Sequence, residues 1–214
     1  MKNIIDTVGN TPLIELGNVA VNGVTLLAKA EFLNPSGSVK DRAAKAMLLD
    51  GLATGKLKKG STVIDATSGN TGIAYAMLGS ALGVSVKLYL PANTSAERKR
   101  IVKCYGAEIV ETDPLESTDG AFNAVREAFA ESQKNNLNQY FYPDQYNNPL
   151  NPLAHYNGTG VEIWEQSGGK VTHFIAGMGT SGTFVGTSRR LKQENPNIKT
   201  IAVQPESPFH GIEG

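Results

Sequence analysis

The sequence predicts an α/β fold built on parallel strands. Two observations carry that expectation. Short β-branched runs alternate with longer helical stretches, the pattern that lays helices across the faces of a parallel sheet. Two of the strand–helix junctions are also rich in glycine, serine and threonine, where such folds bind ligands.

The elements follow in order. Residues 13–16 and 24–31 read as two strands of a hairpin whose turn contains Asn22-Gly23. A helix is expected over 38–53, with Ser38 as its N-cap. Val63-Ile64-Asp65-Ala66 is a short strand that runs into Thr67-Ser68-Gly69-Asn70-Thr71-Gly72, and a helix of small and apolar residues continues to Leu82. Val84, Val86, Leu88 and Leu90 alternate with Ser85, Lys87 and Tyr89, which predicts a strand ending at Pro91. Ser95 caps the next helix, which stops at Gly106. A strand over 108–111 follows. Apolar residues at Ala121, Val125, Ala128 and Phe129 then give an amphipathic helix over 117–134. Beyond a short strand over 139–142, Pro149 and Pro152 punctuate a loop, and a helix through Ile163 and Trp164 leads to a strand over 173–176. Gly177-Met178-Gly179-Thr180-Ser181-Gly182-Thr183 opens a helix to about Gln193, and the last strand covers 198–204. Past Gln204 the chain enters a loop with no closing helix, so the sequence reads as lacking a C-terminal part.

Composition narrows the function. The chain has 214 residues, 20 basic and 20 acidic side chains, and 40% hydrophobic residues. That balance argues against a nucleic-acid partner. A single cysteine, Cys104, cannot form an intrachain disulfide or a thiolate metal cluster. No run approaches the roughly 18–20 apolar residues that span a bilayer. The N-terminus turns polar too early for a secretory signal, so the expectation is a cytoplasmic protein.

Three segments carry chemistry. In Asn34-Pro35-Ser36-Gly37-Ser38-Val39-Lys40-Asp41-Arg42, a lysine sits at the first turn of a helix beside a Gly/Ser loop. The positive helix end disfavours an ammonium and so favours the neutral, nucleophilic amine that Schiff-base chemistry needs. The plainer reading is a surface lysine paired with Asp41. Thr67 to Gly72 offers hydroxyls, an amide and free backbone N–H groups at a helix N-terminus, a cradle for a carboxylate or phosphate; the plainer reading is an ordinary turn. The 177–183 loop lacks the P-loop lysine and a dinucleotide fold's acidic partner, and reads as a nest for one phosphate, with Thr180, Ser181 and Thr183 donating hydroxyls. Cys104 is expected to pack in the interior as a small hydrophobe, His155 and His173 to be hydrogen-bonded structural residues, and Trp164 to be core or interface. Arg98, Lys99, Arg100 and Lys103 read as a solvated helix face.

Taken with Gly9-Asn10-Thr11-Pro12-Leu13, these motifs in register resemble the cysteine synthase and cystathionine β-synthase family of fold-type-II pyridoxal-phosphate enzymes. The resemblance covers the whole chain. It is nearest the cysteine synthase B branch through Gln145-Tyr146-Asn147-Asn148-Pro149 and Asn151-Pro152-Leu153-Ala154-His155-Tyr156. It implies two three-layer α/β domains with mainly parallel sheets, arranged as in tryptophan synthase β: a smaller mobile domain at 44–144 and a larger one from 1–43 plus 145–214. It also implies pyridoxal 5'-phosphate as cofactor, a homodimer, and small-molecule substrates: O-acetylserine, with sulfide or a thiol. By the same resemblance Lys40 would carry the cofactor and later move the α-proton, and Asn70 would hydrogen-bond its ring oxygen. Gly179, Thr180, Ser181, Gly182 and Thr183 would hold its phosphate, and Thr67, Ser68, Asn70, Thr71 and Gln145 the substrate carboxylate. Asn157-Gly158-Thr159-Gly160-Val161 departs from the family's usual threonine pair, glycine and proline. The family's residue facing the pyridine nitrogen lies beyond this sequence.

The activity implied is β-replacement to cysteine. Cystathionine β-synthase and O-phosphoserine-dependent cysteine synthase are the enzymatic alternatives, and a non-catalytic fragment or regulatory paralogue is the alternative outside enzymes.

Overall fold

The computed structural model describes residues 3–17, 23–58, 60–67, 69–135, 137 and 139–206. Asn22 of the expected turn, Ser68 of the expected carboxylate loop and the stretch 207–214 lie outside the described residues.

A four-stranded parallel sheet organises the first two thirds. It contains β3 (Thr62–Ala66), β4 (Ser85–Pro91), β5 (Glu108–Thr112) and β6 (Tyr140–Phe141), in the order β5-β4-β3-β6. Helices cover both faces, which is why Val63, Ile64 and Ala66 on β3 are all buried. On one face, α1 (Lys40–Ala53), α2 (Asn70–Leu82) and α3 (Ala96–Cys104) enclose a core that includes Met47, Leu48, Tyr75, Leu78, Val86 and Leu88. On the other, α4 (Ser117–Lys134) packs Ala121 and Val125 against Ile64, Ala66 and Tyr89. α2 is apolar all round because it is buried all round, from Thr71 to Gly79.

A second parallel pair, β7 (His173–Gly177) and β8 (Lys199–Val203), is joined by α7 (Gly182–Glu194). Leu191, Ile198 and Ile163 form its core, with Trp164 and Phe174 packed against them. Between the two sheets run α5 (Leu150–Ala154), a π-helical turn over His155–Thr159, and α6 (Gly160–Gln166). The antiparallel hairpin of β1 (Leu13–Glu15) and β2 (Leu27–Lys29) pairs Leu13 with Lys29 and Glu15 with Leu27.

Several expectations move. The second hairpin strand is Leu27–Lys29 rather than 24–31; at its far end Glu31–Leu33 turn into a 3-10 helix that brings Glu31 inward. The first helix starts at Lys40, yet Ser38 still caps it in effect: its hydroxyl accepts the Lys40 N–H at 3.2 Å. Pro91 ends β4 as expected, paired with Thr112. Ser95 does cap α3, accepting the Arg98 N–H at 3.4 Å. Cys104 is exposed, contrary to the interior packing expected of it, because α3 turns Val102 toward the core. Among the described residues no helix is long and apolar enough to cross a membrane.

Candidate active site

Lys40 opens α1 behind a tightly bonded loop. The Ser36 N–H donates to the Asp41 carboxylate at 2.7 Å, the Ser36 hydroxyl donates to it as well, and Gly37 N–H donates to Asn34 O at 2.8 Å. Asp41 is fully buried in these contacts, so it is spent on the loop and does not form the surface pair with Lys40. The Lys40 amine is half-buried, and no hydrogen bond to it is found among the described residues. Burial lowers its pKa below the ordinary lysine value. Desolvation is the cause, and the consequence is the anticipated one: a larger share of neutral amine.

Sheet order places the second segment. β4 and β5 are added on one side of β3, and β6 on the other, so the order reverses between β3 and β6. Loops leaving the carboxyl ends of strands at such a reversal diverge to opposite faces and leave a crevice. The loops after β3 and β6 meet there: the Thr71 hydroxyl donates to Gln145 Oε1 at 2.8 Å, with both side chains buried. Thr67 is buried too, and its hydroxyl accepts the Gly69 N–H at 3.3 Å. Asn70 points elsewhere. It is exposed, makes no hydrogen bond among the described residues, and borders a hollow of about 620 Å³ with Ile73, Thr94, Ser95, Arg98 and Thr118.

Beneath the loop, Asp65 is completely buried. Its Oδ1 accepts the Ala66 N–H at 2.8 Å, while Oδ2 has no partner among the described residues. Burial, chiefly, pushes its carboxyl up to about 7, and the Tyr75 hydroxyl stands beside it. Sequence reasoning passed over this residue. The available signal was a carboxylate inside an otherwise apolar strand.

The third segment follows β7. Ser181 adopts the left-handed conformation, φ +64°, immediately before α7, the kind of turn from which backbone N–H nests at a helix N-terminus are built. The next residue has no room for a side chain: a Cβ on Gly182 would lie 2.0 Å from Asn151 Oδ1. That contact seats Asn151, whose amide donates to Gln145 O and to Thr180 Oγ1, both at 2.9 Å. His155, in the π turn and also buried, bridges Thr159 Oγ1 at 2.9 Å through Nδ1 and Thr183 Oγ1 at 3.3 Å through Nε2. Burial, then the Arg42 and Lys40 charges, lower its pKa to about 4, so the ring is neutral at neutral pH.

One run of contacts therefore joins Thr71, Gln145, Asn151 and Thr180, and His155 ties in Thr183. Asn151 was missed as a site residue, and His155 is the hydrogen-bonded structural residue expected. The departure at Asn157–Val161 falls on the π turn, where Thr159 serves His155. A glycine-rich turn at the N-terminus of α7, hydroxyls at Thr180 and Thr183, and a half-buried amine at Lys40 fit a phosphorylated aldehyde cofactor.

The chain resembles cysteine synthases and, at 44% identity over 209 residues covering 96% of this chain and 41% of the relative, a cystathionine beta-synthase from Apis mellifera. A cysteine synthase from Aquifex aeolicus is 55% identical over 217 residues, covering all of this chain and 65% of the relative. Cysteine synthase B from Escherichia coli is 42% identical over 207 residues, covering 96% of this chain and 66% of the relative. The chain thus spans just under two thirds of the length of these two cysteine synthases. The crystal structure of a cysteine synthase from Entamoeba histolytica superposes with a TM-score of 0.88 at 38% identity, covering 96% of this chain and 61% of that one. The pyridoxal-phosphate dependent enzyme family matches residues 4–213, and the chain belongs to that family.

Proposed function

We propose that this chain carries out pyridoxal-phosphate-dependent β-replacement, making L-cysteine from O-acetyl-L-serine and sulfide. The observation that carries the reading is the hydrogen-bonded run Thr71–Gln145–Asn151–Thr180, which ties a carboxylate cradle to a phosphate nest in a fold whose half-buried lysine has a depressed pKa. The cofactor, once bound, supplies an electron sink for charge developing at the substrate Cα. The chain's own residues do the rest. The Lys40 amine carries the cofactor, takes the α-proton and returns it. Gly179 to Thr183 hold the phosphate through N–H groups and hydroxyls, and the neutral His155 ring orients Thr183. Thr67, Ser68, Thr71 and Gln145 grip the substrate carboxylate, which fixes the Cα–H bond toward Lys40. In the balanced reaction the Cβ–O bond to acetate breaks and a Cβ–S bond to sulfide forms.

We place residues 44–144 in a smaller domain that closes over the crevice, and read the working form as a cytoplasmic homodimer. Closure keeps water from the reacting centre. Size-exclusion chromatography tests the dimer.

The deciding experiment is the visible spectrum of the chain with pyridoxal phosphate. A lysine-bound cofactor band that shifts on adding O-acetylserine, and returns on adding sulfide with release of cysteine, is the expected result. Recovery with homocysteine but not sulfide would favour the cystathionine β-synthase reading. Lys40→Ala should abolish both band and turnover, and turnover surviving in that variant refutes the role given to Lys40.

A further inference from the structure

The Gly9-Asn10-Thr11-Pro12-Leu13 motif and Arg42 have no part in the chemistry above, and the structure brings them together. Arg42 is 6% exposed and held on two edges. Its Nε and Nη2 donate to the two oxygens of Glu31 at 2.7 and 2.8 Å. Its Nη1 and Nη2 donate to the two oxygens of Glu162 at 2.7 and 2.8 Å. Two fork-on-carboxylate contacts on one guanidinium fix its plane and position, since both partners would have to move for it to turn.

The motif closes over this clamp. Thr11 Oγ1 accepts from Arg42 Nη2 at 3.2 Å and donates to Glu31 at 2.6 Å, while the Asn10 N–H donates to Glu162 at 2.9 Å. Gly9, at φ +91°, has its missing Cβ position 3.1 Å from Arg42 Nη1, so a side chain there would press on the guanidinium. Lys29 adds a 2.7 Å ion pair to Glu162. The charges facing Arg42 are thus Glu31 from the 3-10 turn after β2, Glu162 from α6 and Lys29 from β2. With Arg42 they are two cations and two anions.

Arg42 follows Lys40 by two residues on the first turn of α1. Side chains at that spacing diverge to opposite sides of a helix. The clamp therefore grips this turn from behind, away from the Lys40 amine. We propose that Arg42 is a positioning residue, whose clamp between Glu31 and Glu162, closed over by the Gly9–Leu13 motif, fixes the first turn of α1 and so keeps the Lys40 amine in its half-buried place. The inference rests on the reading of Lys40 as the cofactor lysine, and it assigns the motif the task of holding that lysine.

The test reads Lys40 itself, in the full 214-residue chain without cofactor. Competitive labelling with acetic anhydride across pH, followed by mass spectrometry, gives the midpoint at which the Lys40 amine loses its proton. Arg42→Lys keeps the charge but loses the fork. Its Lys40 midpoint should rise by about one pH unit toward that of an ordinary lysine, as desolvation is lost. Glu162→Gln should shift it in the same direction by less. The midpoint of exposed Lys134 should stay fixed in both. In a second readout, the visible circular dichroism of bound pyridoxal phosphate should weaken in both variants while its absorption band persists. Unmoved Lys40 midpoints and unchanged ellipticity in folded variants overturn the proposal. If Arg42→Lys fails to fold, Glu162→Gln decides alone. A parent chain that takes up no pyridoxal phosphate would sink the functional reading, while the labelling midpoints would still judge the clamp.

Discussion

Replacing Asp65 with asparagine should make the protein more stable at high pH and leave its pH dependence visibly flatter. Asp65 is fully buried, one oxygen bonds the Ala66 N–H, and the other has no partner among the described residues. Burial raises its carboxyl from 3.8 to about 7. Between those values the folded chain keeps the proton and the unfolded chain has lost it. The Asp65 contribution is therefore fully present below about 3.8 and disappears as pH rises through 7. At about 1.4 kcal/mol per unit, the shift corresponds to about 4 kcal/mol of stability lost across that window. Asparagine carries the same shape without the titration, so Asp65→Asn should gain up to about 4 kcal/mol on the parent between pH 4 and pH 8. Urea unfolding of both proteins across that range measures the difference directly, and other titrating groups cancel in the comparison. A variant that tracks the parent's stability at every pH would refute a buried, protonated Asp65.

Three further outcomes are expected. His155 titrates in the opposite sense, since its folded pKa is lowered to about 4 from 6.5. Its contribution is present above about 6.5 and is lost as pH falls toward 4, up to about 3 kcal/mol, so His155→Gln should flatten denaturation curves over that acid window. Gly182→Ala drives a methyl into Asn151, and should cost about 1–3 kcal/mol by thermal melting and weaken pyridoxal-phosphate uptake in a titration; unchanged affinity would argue against the nest. Thr71→Val leaves buried Gln145 Oε1 without its donor, costing about 1–3 kcal/mol, and should raise the half-saturating O-acetylserine concentration.

The sequence made the sheet-forming elements legible where one physical signal dominated. Ala121, Val125, Ala128 and Phe129 recur at helical spacing, and α4 spans Ser117–Lys134 as expected, because that stripe is what seals one face of the sheet. The hairpin was read too long at both ends: Val24 and Thr25 favour a strand but precede the ladder, and the contacts of Glu31 end it after Lys29. Cys104 was misplaced for a related reason. A small apolar residue near a helix end has no periodic pattern of its own, and the direction it faces is set by Val102. Two of the three site segments were visible because glycine, serine and threonine crowd the turns that follow strands. Asn151 and His155 were not visible as site residues. Each is one polar residue, Asn151 in the short α5 and His155 in the π turn, and its role appears only through partners 29 and 28 positions away, Thr180 and Thr183.

Those long-range bonds also suggest how a grip on substrate and a grip on cofactor work together. Asn151 donates to Gln145 O and to Thr180 with its one amide, so shifting either loop disturbs the other. Thr71 joins this run by the single side-chain bond to Gln145. On the proposed division, Thr71 lies inside 44–144 and Gln145 just outside it. The Gln145–Asn151–Thr180 part would then stay with the phosphate nest while the Thr71 contact is remade as the crevice opens and shuts. One hydrogen bond between neutral groups contributes only about 0.5–1.5 kcal/mol, small enough to break and reform thermally on each cycle. A carboxylate bridging Thr71 and Gln145 would add charge-assisted bonds to both sides. Binding the substrate would thereby favour the closed form through the same two side chains that recognise it.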